Sequence, residues 1–279
     1  MFPDDNITKG ELAAYYQAIA PVMLPHIRNR PVTMERFHKG IGEPGFFQKD
    51  VSKGFPDWLA RVDAPKKDGV VHHPIVTDAR SLVWLANQNS ITPHVWTSRA
   101  PKISKPDICI IDLDPLEDAP DVLRAATLGV RDFLAELGLK SWVKTSGSKG
   151  FHIAVPLDGK ADYGTVSRFA HTVGTRLVKR DPEHLTQEFY KTDRGGRILV
   201  DTGRNEYSAT FAAAYAVRPK RGAPVSAPCT WKEIERGEVG PTTFTLRDMP
   251  TRVAAVGDVW ADLLETTQSL KRPIATLSS

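Results

Sequence analysis

The chain has 279 residues, of which 41% are hydrophobic and 25% are charged, and 37 Lys and Arg against 33 Asp and Glu give a formal net charge of +4. These values are typical of globular domains and exclude a disordered, collagen-like or coiled-coil chain. Two cysteines are too few for a disulfide framework or a zinc module, and the small positive charge permits a nucleic-acid partner without requiring one.

The N-terminal part of the chain predicts a helix followed by short extended segments. Thr8 and Glu11 have the spacing of a capping box, and apolar residues then recur at helical spacing. We expect this helix to end near Pro21 or Pro25, since proline lacks the N–H that a helix interior uses. Short extended pieces and turns follow over 28–60.

The middle of the chain contains the strongest strand signal. The Pro- and Lys-rich stretch 64–69 indicates an exposed loop, and residues 78–89 have helical spacing. The continuous apolar run 108–111 is typical of a strand buried on both faces, and it ends before Asp112.

The remaining chain alternates between helical and extended patterns, which places the protein in the α/β or α+β class with a central sheet. The predicted elements are a helix over 120–137 with Gly138 as its C-cap, a strand over 141–144, a turn over 146–150, a strand over 151–155, a helix over 162–180, a strand over 197–200, an extended or mixed segment over 211–218 and an irregular segment over 219–229.

A pair of acids follows the apolar run. Because side chains alternate along a strand, the carboxylates of Asp112 and Asp114 point the same way, about 6.5–7 Å apart. Two hard-oxygen ligands at this spacing can hold one or two divalent cations. The alternative is that Asp-Leu-Asp-Pro forms a turn, where Asp and Pro are favoured for conformational reasons.

A third acid, Asp201, follows the predicted strand 197–200, Arg-Ile-Leu-Val. Three acids at two strand ends match the requirement of a two-metal phosphoryl-transfer centre. A solvated strand end is the alternative for Asp201 alone.

The segment 144–152, Lys-Thr-Ser-Gly-Ser-Lys-Gly-Phe-His, has the composition of a phosphate-binding loop. Its glycines allow backbone N–H groups to face phosphate, Ser146 and Ser148 offer hydroxyls, and Lys149 supplies a charge. It is not a Walker A loop, and an ordinary Gly/Ser hairpin turn is the alternative. Beside a metal centre, Lys149 and His152 would hold the outer phosphate oxygens.

In this order, the motifs resemble those of the polymerase domain of bacterial ligase D and its stand-alone relatives in the archaeo-eukaryotic primase superfamily, the primase-polymerases of non-homologous end joining and short-gap repair. The resemblance covers about residues 7–235. It rests on Ile-Asp-Leu-Asp-Pro at 111–115, Thr-Ser-Gly-Ser-Lys-Gly-Phe-His at 145–152 and Val-Asp at 200–201, with further similarity at 15–27, 30–31, 46–49, 215–218 and 223–231.

The resemblance implies an α/β (α+β) fold with a central mixed or antiparallel sheet flanked by helices, a primase-type catalytic core with an N-terminal extension. It implies one catalytic domain over 1–279, in which 1–105 contacts the DNA end and template, 106–235 forms the core and 236–279 is a helical tail. Since no ligase or nuclease motif is evident, we expect a stand-alone form.

The implied activity is that of a template-directed nucleotidyltransferase, a repair polymerase or primase-polymerase that adds NTPs or dNTPs to a primer 3′-hydroxyl at short gaps or broken DNA ends. Two Mn²⁺ or Mg²⁺ ions would be held by the catalytic acids Asp112, Asp114 and Asp201. A non-catalytic DNA-end-binding repair protein is one alternative. Another is a phosphatase of the haloacid-dehalogenase kind, although Leu116 stands where that family has Thr or Val.

The resemblance also assigns nucleotide-binding residues. His94 matches a histidine near the nucleotide sugar that accompanies ribonucleotide preference in the family, although an ordinary loop histidine beside Pro93 explains it equally. The residues assigned to the nucleotide are His94, Ser146, Ser148, Lys149, Gly150, His152 and Arg218.

For DNA, Lys9 matches a lysine that holds the 5′-phosphate across a gap. Phe46 and Phe47 match aromatics that stack on the template base, and Lys49 is expected beside them. A solvated lysine and two core phenylalanines are the alternatives. The chain departs from the family in lacking a match to a second N-terminal lysine and in placing Thr202, which is neither aromatic nor apolar, after its third acid.

The implied partners are DNA with a 5′-phosphorylated gap or end, NTPs or dNTPs, a separate ATP-dependent DNA ligase and the Ku end-binding protein. Because the sequence shows no signal peptide and no apolar run of about 18 residues, we expect no membrane association. We expect the protein to be located in the bacterial cytoplasm, near the nucleoid, and to be a monomer. If cations neutralise the three acids, the surface that faces DNA is more positive than the net charge of +4 suggests. DNA binding should therefore weaken steeply as the salt concentration rises.

Overall fold

The computed structural model describes residues 1–51 and 54–278, and its contacts divide the chain into two compact units. Unit 1 comprises Met1–Ile103, Thr210–Ala227 and Phe244–Asp258, and unit 2 comprises Ser104–Ala209, Pro228–Thr243 and Val259–Ser279. Each unit is discontinuous in sequence. The assignment of one catalytic domain in three consecutive parts stays a prediction.

The elements are numbered in chain order. The helices are α1 Lys9–Ile27, α2 Ala79–Asn87, α3 Pro120–Glu136, α4 Tyr163–Arg180, α5 Trp231–Glu235, α6 Met249–Val256, α7 Ala261–Glu265 and α8 Lys271–Ser278. The strands are β1 Val32–Arg36, β2 Phe46–Gln48, β3 Arg61–Lys66, β4 Gly69–Pro74, β5 Ser90–Val95, β6 Ile108–Asp114, β7 Trp142–Thr145, β8 Phe151–Pro156, β9 Leu185–Thr186, β10 Ile198–Asp201, β11 Phe211–Ala212, β12 Ala216–Val217, β13 Val225–Ser226 and β14 Pro228–Cys229.

Unit 1 contains a four-stranded antiparallel sheet in the order β11-β5-β1-β2, and helices α1 and α2 pack together. The exposed loop expected over 64–69 is wrong, because β3 and β4 pair along their whole length and only Lys67 and Asp68 form the turn. This hairpin is mostly exposed, so its sequence carries little of the alternation by which a half-buried strand is recognised.

Helix α1 begins as predicted, with Thr8 and Glu11 forming a complete capping box. It ends at Ile27, two residues after Pro25, so the predicted end near Pro25 is confirmed, although both Pro21 and Pro25 lie inside the helix. The later turns bury further apolar side chains, including Met23. Burying one such side chain contributes about 1.5–3 kcal/mol, so several of them together offset the cost of about 3 kcal/mol for an interior proline.

Unit 2 is built on a six-stranded mixed sheet in the order β14-β7-β8-β6-β10-β9, antiparallel except for the β9–β10 pair. Helix α3 packs on β8, and α4 packs on β6, β9 and β10. The predicted α/β (α+β) class with a mixed sheet and flanking helices is confirmed. The two long helices expected over 120–137 and 162–180 are α3 and α4.

Two details of unit 2 differ from expectation. Strand β6 does not end before the acids, since Asp112 and Asp114 are themselves paired residues of the strand. The segment 219–229 is not wholly irregular, because it contributes β14, which pairs with β7 at the sheet edge, and β13 of unit 1. Within the described ranges, no helix combines the length and apolarity needed to cross a membrane.

Candidate active site

Strands β6 and β10 bring the three predicted acids together. Asp112 and Asp201 are directly opposite in the antiparallel register, so their side chains lie on the same face of the sheet. Asp114 follows two residues along β6 and therefore shares that face. The central location of β6 leaves Asp112 buried, whereas Asp114 at the strand end is partly exposed.

Two arginines neutralise these acids. Arg204 donates through Nε to Asp112 Oδ2 and lies with Nη2 beside Asp201 Oδ2, both at 3.2 Å. Arg194, itself buried, contacts Asp114 Oδ2 at 3.1 Å. With the guanidinium groups in these places, no three His, Cys, Asp or Glu side chains among the described residues are arranged around one ion. Neither arginine was identified from the sequence.

The pKa of one acid in the site, Asp112, is shifted far from its ordinary value. The pKa of Asp112 is raised from 3.8 to about 6, chiefly by burial. The charges of Asp201 and Asp114 contribute to the rise, and those of Arg204 and Lys144 oppose it. A buried carboxylate next to two others requires a proton or a cation. The donor set of hard carboxylate oxygens, bridged here by an organic cation, therefore fits divalent metal ions.

A row of charged and polar side chains crosses four strands of the sheet. Lys144 on β7 is opposite His152 on β8, which is opposite Asp112 on β6, which is opposite Asp201 on β10. Lys144 Nζ lies 2.9 Å from His152 Nδ1, and His152 Nε2 lies 3.4 Å from Asp112 Oδ1. No role for Lys144 was predicted from the sequence, because its place in the row depends on the register of three strands.

The turn after β10, where the sequence departs from the family pattern at Thr202, is held by polar contacts. The N–H of Gly203 donates to Asp201 Oδ1 at 2.8 Å, which holds the carboxylate at the strand end. Asn205 is fully buried and forms paired hydrogen bonds with the backbone N–H and C=O of Ile110. These hydrogen bonds fix the turn to β6.

The loop between β7 and β8 is a tight turn that is stabilised by hydrogen bonds to the side chain of Ser146. Ser146 Oγ accepts the N–H groups of Ser148 and Gly150, each at 3.1 Å, so these two donors are engaged within the loop. Gly147 has φ +63°, and a Cβ on Gly150 would lie 1.7 Å from the carbonyl oxygen of Leu113 on β6. Glycine is therefore required for the loop to approach the acid-bearing strand.

The outer side of this loop borders a cavity of about 350 Å³. Lys149 is exposed there, and its Nζ donates to the carbonyl oxygen of Leu116 at 3.3 Å. The cavity is lined by Leu116, Glu117, Asp118, Ser148, Lys149, Pro241 and Thr242. Nucleotide binding by Ser146, Ser148, Lys149, Gly150 and His152 stays a prediction.

In unit 1, His94 belongs to a second polar cluster. His94 Nε2 lies 3.0 Å from Glu35 Oε2 of β1, and the ring contacts Phe47 edge-on. Although burial opposes it, the hydrogen bond from His94 lowers the pKa of Glu35, helped by the charge of Arg218. His94 and Arg218 therefore share an acidic neighbour, which sequence analysis did not identify.

The predicted DNA-binding residues also lie in unit 1. Phe46 is 40% exposed and Phe47 is 61% exposed, so the alternative of two core phenylalanines is wrong. Lys49 follows β2 and is exposed. Lys9, the first residue of α1, is exposed and donates to the carbonyl oxygen of Asn87 at 3.3 Å. Their contact with DNA stays a prediction.

In a comparison with protein families, the model described as the LigD primase-polymerase domain matches residues 8–260. The chain is 33% identical over 270 residues to the multifunctional non-homologous end joining protein LigD of Mycobacterium bovis, and 34% identical over 274 residues to that of Pseudomonas aeruginosa. These matches cover 93% and 96% of the chain but 35% and 32% of the relatives. The chain thus spans about a third of their length.

Among solved structures, the chain is similar to the polymerase domain of Mycobacterium tuberculosis ligase D in complex with DNA. The TM-score is 0.89 at 32% sequence identity, and the match covers 96% of each chain. The similarity therefore includes both units.

Proposed function

The chain belongs to the LigD primase-polymerase domain family, and from this premise we propose that it is a template-directed nucleotidyltransferase that extends a primer at short gaps or broken ends of DNA. The observation that carries the proposal is the direct opposition of Asp112 and Asp201, with Asp114 on the same face. This arrangement concentrates carboxylates as phosphoryl transfer with two metal ions requires.

The reaction joins the primer to the incoming nucleotide. The 3′-oxygen of the primer forms a bond to the α-phosphorus, the bond from that phosphorus to the bridging oxygen of the β-phosphate breaks, and pyrophosphate leaves with the electron pair. The proton of the 3′-hydroxyl passes to solvent. Two Mn²⁺ or Mg²⁺ ions, in keeping with the metal dependence of the family, would supply activation of the 3′-oxygen and charge stabilisation of the leaving group.

Different residues of the chain would bind the metal ions and the phosphates. Asp112, Asp114 and Asp201 would hold the ions, for which Arg204 and Arg194 would have to release their carboxylate contacts. The exposed ammonium of Lys149 would bind outer phosphate oxygens, which carry negative charge through the reaction.

Further residues are proposed to bind nucleotide and DNA. Ser146, Ser148, Gly150 and His152 of unit 2 would bind the triphosphate with Lys149. Binding of the triphosphate by Arg218, and of the nucleotide sugar by His94, is proposed from the family resemblance. Lys9, Phe46, Phe47 and Lys49 would contact a DNA gap or end. The relatives are named as non-homologous end joining proteins. For this reason, a separate ATP-dependent ligase and the Ku protein are proposed as partners of this chain.

The test is extension of a 5′-phosphorylated gapped DNA with NTPs and with dNTPs, each in Mn²⁺ and in Mg²⁺. We expect metal-dependent extension by the wild-type protein, and its loss in Asp112→Ala and Asp201→Ala with DNA binding retained. Asp121→Asn is the matched control, since Asp121 is an exposed acid on α3 of the same unit. Extension by either alanine variant would contradict the proposal.

The same assay separates the alternatives. A non-catalytic end-binding protein would bind the gapped DNA but incorporate no labelled nucleotide with any metal. A phosphatase would release inorganic phosphate without primer or template. His94→Ala, assayed in parallel, should lower the ratio of NTP to dNTP incorporation if His94 lies near the sugar.

A further inference from the structure

Lys144 has an unusual environment for a lysine, because it lies on β7 inside the sheet of unit 2 with no exposed surface. Lysine is rarely fully buried unless its ammonium is bound by other groups. Its Nζ lies 2.9 Å from Nδ1 of His152. The buried ammonium of Lys144 is therefore bound by His152, beside the three acids of the site.

The chemistry of the contact determines which ring nitrogen carries a proton. A lysine ammonium has three N–H donors and no acceptor, so Nδ1 of His152 must accept. In a neutral imidazole the proton is then on Nε2. That nitrogen lies 3.4 Å from Asp112 Oδ1, so the ring presents an N–H to the acids.

The positions of these side chains are set by backbone pairing. Lys144, His152 and Asp112 are directly opposite one another on three consecutive strands. The hydrogen-bonded ladder fixes the spacing of such neighbours, and their side chains lie on one face. The opposite tautomer would place a nitrogen lone pair against the carboxylate oxygens, which is repulsive.

We propose that Lys144 is a positioning residue, which donates to Nδ1 of His152 and holds the ring in the Nε2–H tautomer, so that the Nε2–H faces Asp112 and, in the nucleotide complex, donates to a phosphate oxygen. The phosphate contact rests on the proposed function. The tautomer does not, since it follows from the Lys144 contact.

The first experiment reads the tautomer directly in the metal-free protein. Long-range ¹H–¹⁵N correlation spectra of protein labelled at its 8 histidines distinguish the two neutral tautomers, and His152→Ala identifies the signal. We expect the Nε2–H pattern in the wild-type protein and its loss or mixing in Lys144→Met. An Nδ1–H pattern for wild-type His152 overturns the proposal without any variant of Lys144.

The second experiment is a double-mutant cycle on nucleotide incorporation. We expect Lys144→Met to raise KM for the nucleotide about tenfold, the size of a lost buried hydrogen bond to a charged group, with a smaller effect on kcat. If Lys144 acts through His152, Lys144→Met in the His152→Ala background should cost nothing more. Losses that multiply in the double variant, or an unchanged KM in Lys144→Met, overturn the positioning role.

Val143→Ala is the matched control, because Val143 is equally buried on the same strand and points to the opposite face. It should lower stability without changing KM or the His152 signal. If the wild-type protein incorporates no nucleotide, the proposed function fails, and the spectra still decide whether Lys144 sets the tautomer.

Discussion

Asp112 and Asp201 face each other directly across β6 and β10, and their carboxylates share the guanidinium of Arg204. Two acids that are far apart in the sequence thus form one electrostatic unit. Its behaviour depends on the cation that lies between them, since opposed like charges destabilise a sheet when nothing neutralises them.

Arg204→Gln should therefore lower the stability of the metal-free protein and increase its stabilisation by metal. We expect a loss of about 1–3 kcal/mol in the free energy of unfolding, because two opposed carboxylates lose their shared donor. Thermal unfolding with a chelator and with Mn²⁺ measures both effects. Arg236→Gln, which alters an exposed ion pair in the same unit, is the control. A smaller Mn²⁺-induced shift in Arg204→Gln than in the wild-type protein would contradict the expectation.

Metal-free stability should depend on pH through Asp112. Since its folded-state pKa is about 6 against an ordinary 3.8, the folded state binds the proton more tightly than the unfolded state. The resulting stabilisation is complete below about pH 4 and is lost as pH rises through about 6, which amounts to about 3 kcal/mol. Urea unfolding across this range should show the loss in the wild-type protein and in Asp121→Asn but not in Asp112→Asn.

In the presence of metal the direction reverses, since only the ionised carboxylate is a ligand. The metal concentration required for half-maximal stabilisation should rise as pH falls below about 6. A pH-independent requirement would show that Asp112 is not a ligand.

Gly150→Ala should damage both stability and the phosphate loop. The new methyl group would lie 1.7 Å from the Leu113 carbonyl oxygen, so β6 or the loop must move. We expect a loss of at least about 2 kcal/mol, as for an overpacked core. Gly129→Ala on α3 meets no atom within 4 Å and should be neutral or stabilising. Chemical denaturation of the two variants provides the comparison, and equal stabilities would contradict the close approach.

Phe47→Ala should weaken binding of gapped DNA. An exposed ring that stacks on a base contributes about 1–3 kcal/mol, which corresponds to a rise in Kd of about fivefold or more. Fluorescence anisotropy measures the change, and Phe47→Trp should retain affinity. Val256→Ala removes another exposed apolar side chain of unit 1 and should have no effect. Unchanged affinity in Phe47→Ala would exclude stacking.

Lys49→Gln should reduce the dependence of DNA binding on salt. If the exposed ammonium contacts a phosphate, its loss lowers the slope of log Kd against log salt by about one unit. Titrations at several salt concentrations measure that slope. Lys160→Gln, at an exposed position of unit 2, is the control. An unchanged slope would remove Lys49 from the interface.

The sequence by itself determined the identity and order of the motifs on which the family resemblance rests. Local patterns were sufficient for α3, α4 and the buried strand β6, because each depends on periodicity within one segment. Alternation along a strand also placed Asp112 and Asp114 on one face. The alternation of helical and extended patterns predicted the α/β or α+β class, which the fold confirms.

Only the tertiary structure decided which side chains meet. The opposition of Asp112 to Asp201, and of Lys144 to His152, depends on the register between strands, and a shift of one residue would turn every side chain to the other face. Register is set by packing over the whole sheet, so no local pattern contains it. Helix α1 continues past Pro21 because its later turns bury apolar side chains against other elements of the fold. The sequence of the helix alone does not contain those contacts.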